Sequence, residues 1–167
     1  MRWMGRESIM MKEIEWKLQG KIKRLTNQTF KFDERVGEGW FFCGLLFLKT
    51  REIIQHTRPG TVVTMQFFSS GSMRFLCGTD EAIALLQTFA AHPEKLEVHS
   101  LKDGDKVSPF ETVLTIRGPY EYFGYLEGVI DGILARRTSV ATNVYNVVQA
   151  ARSGSREKPI IFLWGGS

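Results

Sequence analysis

LEGVIDGILARRTSVATNVYNVVQAAR, running from Leu126 to Arg152, is the stretch on which the fold turns. Leu126, Val129, Ile130, Ile133 and Leu134 recur at three- and four-residue steps, which places them on one face of a helix. A second stripe is made of small residues, Ala135, Thr138, Ser139, Ala141 and Thr142, over which another backbone can come close. Val144, Val147, Val148 and Ala151 resume the apolar face, and Ser153-Gly154-Ser155 is a glycine-based stop. Arg136, Arg137 and Asn143 are the polar exceptions and read as a solvated face. Pro159 to Leu163 then gives a short apolar run, the pattern of a buried parallel strand. Helix, short loop and buried strand open an α/β unit.

The chain has 167 residues, enough for a domain with a sizeable core, and its 43% apolar and 24% charged residues are ordinary for a soluble globular protein. No apolar run approaches the ~18–20 residues of a membrane span. Met1 to Glu7 lacks the apolar stretch of a signal peptide, so a cytoplasmic location is expected. Cys43 and Cys77 have no CxxC partner, and His56, His92 and His99 are scattered, so neither a disulfide framework nor a zinc site is expected. A net charge of +4, spread along the chain, does not make the concentrated stripe that nucleic acid requires. It remains compatible with small anionic substrates.

Ahead of the long helix, strands and helices alternate loosely. Ser8 to Gln19 is expected to be an amphipathic helix capped by Ser8, with Met11, Ile14 and Leu18 on one face. Thr29 to Asp33 alternates as a strand or extended arm, and a helix is expected over about Phe42 to His56, closed by Arg58-Pro-Gly60. Thr61 to Phe68 is the clearest strand. Met73 to Cys77 is expected to pair with it or to lead into a helix through about Phe89, capped by Thr79 or Asp80. Leu96 to Leu101 alternates strictly, Asp103-Gly104 marks a turn, and two further strands follow over 105–109 and 111–117. This last pattern is similar to small sandwich folds that carry biotin or lipoyl groups. Those present a lysine at a hairpin tip, whereas Lys106 lies close to a strand. The expected organisation is an N-terminal helix or arm over 1–24, a mixed α/β sandwich over 25–118, and the first helix and strand of an incomplete α/β barrel over 119–167.

Gly118-Pro-Tyr120, Leu126-Glu127, Leu134-Ala135 and Thr138 to Asn143 resemble the first half of a nicotinate phosphoribosyltransferase, a type II phosphoribosyltransferase. The resemblance extends back through Thr61 to Met65, Cys77 to Ala82, and Asp103-Gly-Asp105 with Pro109, and covers about Leu25 to Phe162. It implies a mixed α/β sandwich followed by an irregular α/β barrel, paired head to tail as a homodimer. The implied reaction joins nicotinate to phosphoribosyl pyrophosphate in NAD biosynthesis, a glycosyltransferase step coupled to ATP hydrolysis in the manner of a ligase, with magnesium required. Such chemistry needs an oxocarbenium-like ribosyl centre held near the ring nitrogen, and cations to neutralise the leaving pyrophosphate. The resemblance puts Arg51 and Thr138 at the edge of the substrate pocket, and Trp164 and Gly165 at the strand end that faces substrate. It assigns no catalytic residue and no metal ligand within this chain.

Two departures stand out. The family follows the strand matching Ile160 to Phe162 with a Gly-Asp-Arg-like motif, where this chain reads Leu163-Trp-Gly-Gly-Ser167. Where the family has Ser-Ala-Val-Tyr, with a tyrosine that stacks on the pyridine ring, this chain has Phe42-Cys-Gly-Leu45. The codons TTC-TGC-GGT-TTA-C encode the observed residues, and one base later they read Ser-Ala-Val-Tyr. Leu163-Trp-Gly likewise contains Met-Gly one frame over. Two frameshifts, the second of them truncating, are therefore expected. Little turnover is expected of this chain alone. Within the class, quinolinate phosphoribosyltransferases carry an Arg-Thr pair after the glutamate matching Glu127; Gly128-Val129 stand here, which favours nicotinate. Outside the class, the alternatives are a non-catalytic interaction fragment and a remnant without function.

Overall fold

Val62 to Phe68 alternates because one side of it faces a core and the other faces water. Phe67 is buried, Val63 and Met65 pack against the core, and Val62, Thr64, Gln66 and Phe68 are exposed. This computed structural model describes residues 8–9, 24–37, 44–71 and 74–154. In chain order they form β1 (Ser8–Ile9), α1 (Leu45–Thr57), β2 (Val62–Phe68), β3 (Arg74–Phe75), α2 (Thr79–Phe89), β4 (Glu97–Ser100), β5 (Lys106–Val107), β6 (Thr112–Pro119) and α3 (Glu127–Gly154). Short 3-10 turns lie between them. The main sheet has the order β1-β4-β6-β2 with every pair antiparallel, and β3 pairs with β5 in a separate ribbon.

The central strand β6 carries the core: Val113, Leu114, Thr115 and Ile116 are all buried between β4 and β2. Val98 from β4, Ile83 and Leu86 from α2, and Ile130 and Leu134 from α3 join the same apolar cluster. The chain from Phe123 through Leu126 into α3 is continuous with that cluster, so the long helix is anchored on the sandwich by its first half. Fully burying one such leucine or isoleucine contributes about 1.5–3 kcal/mol. None of the helices is long and apolar enough to cross a membrane, among the described residues.

Several elements differ from the sequence reading. Ser8 does not cap a helix: Ser8–Ile9 is a strand pairing with Val98 and His99, and the rest of 8–19 lies outside the described residues. Of the two readings of Thr29 to Asp33 the strand does not form, while Phe30 and Asp33 keep the extended backbone of an arm. Thr29 closes a 3-10 turn, residues 30–33 are irregular, and Asp33 caps a second turn by accepting from the Arg35 N–H at 3.0 Å. The helix expected from Phe42 begins at Leu45, behind Gly44. Arg74 to Cys77 leads into α2, the second of the two expectations for this segment, and β3 pairs with β5 rather than with β2.

The cap of α2 is the most instructive difference. The N-cap position is Gly78, at φ 108°, and its side is closed by α3: a Cβ there would stand 3.2 Å from the Ile133 carbonyl oxygen. Thr79 and Asp80 sit inside the first turn. The capping carboxylate comes from a distant turn, where Asp103 accepts from the Thr79 N–H at 2.8 Å and from its hydroxyl at 2.7 Å. Asp80 turns inward instead, receives the Leu25 N–H at 2.8 Å, and pairs with Arg24 at 2.7 Å.

The C-terminal half of α3 departs as well. Val144 and Val147, expected to resume the apolar face, are 43% and 54% exposed. The strand expected over Pro159–Leu163 lies outside the described residues, as do Phe42 and Cys43 of the altered tyrosine motif, whereas Leu45, at the tyrosine's position, opens α1 and is exposed.

Candidate functional site

Small residues on α3 do what small residues allow: they admit a strand. β3 and the residues after it run along the helix, held by hydroxyls. The Thr138 hydroxyl accepts from the Cys77 N–H at 3.2 Å and donates to the Cys77 carbonyl at 3.1 Å. One turn on, the Thr142 oxygen receives the Phe75 N–H at 3.0 Å, and the Tyr145 ring lies 3.8 Å from that of Phe75, centroid to centroid. Thr138 is buried, and its hydroxyl is spent on this junction. Its side chain also borders a cleft of about 270 Å³ between α3 and the loop after β2.

Arg51 is placed differently. It rides on α1, a helix with no fully buried residue that packs on the turns at Tyr120–Tyr122 and Gly124–Leu126. Its guanidinium carbon lies 4.6 Å from the centre of the Tyr125 ring, a cation–π contact. Tyr125 in turn donates its hydroxyl to the Phe89 carbonyl. Burial pushes the Tyr125 phenol up from its ordinary value, against the opposing pull of the Arg51 charge. The Arg51 Nε is buried and has no hydrogen-bond partner among the described residues. Of the two clefts lined by described residues, Thr138 borders the smaller and Arg51 borders neither. Trp164 and Gly165 lie outside the described residues.

A second, wider groove of about 1280 Å³ follows the other flank of α3, along Gly128, Val129, Ile133, Val140, Val144 and Tyr145, with Arg136 and Arg137 among them. Arg137 is anchored there by Glu81, and that hydrogen bond raises its pKa. Glu127, at the start of the helix, is pushed up by burial and by the neighbouring Asp131. The Cys77 thiol is likewise pushed up, chiefly by burial.

Magnesium has no fitting ligand set among the described residues, where no three His, Cys, Asp or Glu side chains converge. The acidic residues nearest one another are committed: Asp80 to Arg24, Asp103 to Thr79, and Asp105 to the Lys102 N–H at 2.9 Å. No step through magnesium or ATP is derived from these residues. The sequence reading passed over Arg74 and Asp131, which face each other's cleft from β3 and α3. Asp131 lies on the flank between the apolar stripe and the small one, and only that placement would have pointed to it.

Compared with known proteins, residues 41–138 match the family model described as the quinolinate phosphoribosyl transferase N-terminal domain. A solved structure, nicotinate-nucleotide pyrophosphorylase from Pyrococcus furiosus, is similar with a TM-score of 0.54 and 23% identity, over 63% of this chain and 27% of that one. The corresponding structure from Francisella tularensis has a TM-score of 0.46 and 14% identity, over 74% of this chain and 43% of that one. The chain thus spans about a quarter of the Pyrococcus protein's length. No curated protein sequence matches it.

Proposed function

Because the chain belongs to the family of the quinolinate phosphoribosyl transferase N-terminal domain, we propose that it forms the N-terminal substrate-binding module of an enzyme that joins a pyridine carboxylate to phosphoribosyl pyrophosphate on the way to NAD. The match over residues 41–138, more than half of the chain, carries this reading. Magnesium, ATP and pairing of two copies belong to it as properties of the whole enzyme.

Arg51 is the residue of this module best suited to a carboxylate. Its guanidinium is steadied by the Tyr125 ring, and its buried Nε–H has no acceptor among the described residues. A guanidinium's planar fork accepts a carboxylate in two parallel hydrogen bonds. Thr138 acts one step back, holding α3 against β3 so that the flank bearing Gly128 and Val129 keeps its place. Trp164 and Gly165 are assigned to the substrate-facing strand end by family resemblance. Gly128-Val129 after Glu127 favours nicotinate, since a second carboxylate needs its own cation and this position offers none. The family's own description favours quinolinate as the second reading.

The chain covers 27% of the Pyrococcus structure, so the property to test on it is binding. Nicotinate and quinolinate are titrated against the full 167-residue chain by ligand-observed NMR. Saturable nicotinate binding, weakened about tenfold or more in Arg51→Gln, is expected. Tighter quinolinate binding would select the second reading. A folded chain that binds neither pyridine carboxylate would overturn the assignment and leave a non-catalytic interaction module.

A further inference from the structure

The smaller cleft beside α3 has an apolar floor and two unpaired charges. Leu76, Val107, Val113 and Leu134 are buried beneath it. Arg74 reaches it from β3 and Asp131 from α3. Among the described residues neither side chain has a hydrogen bond or an ion pair, and they are not paired with each other.

The position of Arg74 is secured by a missing side chain. A Cβ on residue 71 would stand 2.5 Å from its Nη2 and 3.0 Å from its Nε, so glycine at 71 opens the berth in which the guanidinium lies. The cation is half-buried, has no counter-charge bound to it among the described residues, and borders the cleft. Partly desolvated charges interact more strongly with a ligand than fully solvated ones, because the local dielectric is lower.

The chemistry of the walls selects the ligand. An apolar body suits the floor, an anionic group suits Arg74, and a cationic group suits Asp131. A simple carboxylate would satisfy the first two and sit near the uncompensated aspartate. A volume of about 270 Å³ lies just under the ~300–1,000 Å³ of drug-sized sites, which fits a very small molecule and leaves no room for a nucleotide. We propose that this cleft binds a small zwitterion with an aliphatic side chain, an apolar α-amino acid, with its carboxylate on Arg74, its ammonium on Asp131 and its side chain on the Leu76–Leu134 floor. This goes beyond the phosphoribosyl-transfer reading, and of the groups assigned there only Thr138 borders this cleft among the described residues.

The test uses L-leucine as probe and the full chain with labelled methyl groups. L-leucine is expected to give saturable shifts at the methyls of Leu76, Val107 and Leu134. Arg74→Gln and Asp131→Asn are each expected to weaken binding about tenfold or more. Isovalerate, which lacks the ammonium, and isoamylamine, which lacks the carboxylate, should bind at least about tenfold more weakly than leucine. Ala135→Leu narrows the cleft while leaving both charges, and should abolish the shifts. The proposal is overturned by an absence of saturation at ~10 mM leucine, by isovalerate binding as tightly as leucine, or by indifference to both charge substitutions in variants that melt like the parent.

Discussion

Replacing Thr138 with valine removes one hydroxyl and keeps the shape of the side chain. The loss falls on the junction between α3 and the segment after β3, where that hydroxyl accepts from the Cys77 N–H at 3.2 Å and donates to the Cys77 carbonyl at 3.1 Å. Each hydrogen bond contributes about 0.5–1.5 kcal/mol net, and a buried group left without its partner costs about 1–3 kcal/mol. Thr138 is 7% exposed, so water does not reach its side of the junction freely, whereas Cys77 is half-buried and recovers part of the loss. The expected destabilisation is about 2–3 kcal/mol. Thr138→Ser keeps the hydroxyl and removes a methyl, which costs about 0.8 kcal/mol. Urea unfolding followed by circular dichroism separates the two. With a slope of ~2 kcal/mol/M, the valine variant's midpoint falls by roughly 1 M and the serine variant's by under about 0.5 M. Equal midpoints for the two variants, at unchanged slope, would refute a strut at Thr138.

Three further outcomes follow from the same geometry. Asp103→Ala removes the carboxylate that caps α2 from a distant turn; a loss of about 1–2 kcal/mol is expected, with amide exchange accelerated first at Thr79 to Ala82. The Asp33 carboxyl, held to about 2 chiefly by the hydrogen bond from the Arg35 side chain, stabilises the fold above its ordinary value of 3.8. That contribution fades as pH falls through about 2, and carboxyl-carbon NMR should show Arg35→Gln returning its titration toward the ordinary range. The Cys77 thiol, pushed up by burial, should alkylate with iodoacetamide more slowly than a free thiol at pH 8 when Cys43→Ser leaves it as the sole cysteine; a rate equal to glutathione's would contradict its burial.

What was legible in the chain was whatever repeats locally. α3 was readable from Leu126, Ile130 and Leu134 because a helix repeats every 3.6 residues, and one buried face leaves that period in the sequence. β2 and β4 were readable because alternate residues meet core and water. The family resemblance was carried by short segments between Thr61 and Asn143, inside the region where most of the core lies. Thr29 to Asp33 alternates equally well, yet it finds no neighbouring strand, and alternation without a partner makes no ladder. The candidate site was legible only as residue names. That Arg51 rests on Tyr125, and that Thr138 gives its hydroxyl to Cys77, depends on neighbours 74 and 61 residues away.

The order of helices and strands, their apolar faces and the small-residue stripe on α3 were determined by the sequence itself, because burial acts on each element at its own period. Tertiary structure alone decided which groups meet. β3 chose β5, Asp103 became the cap of α2, Asp80 turned from that cap to Arg24, and Gly71 made room for Arg74 beside Asp131. Each of these is a pairing across the chain, settled by distance and direction in the folded core, and no local period records it.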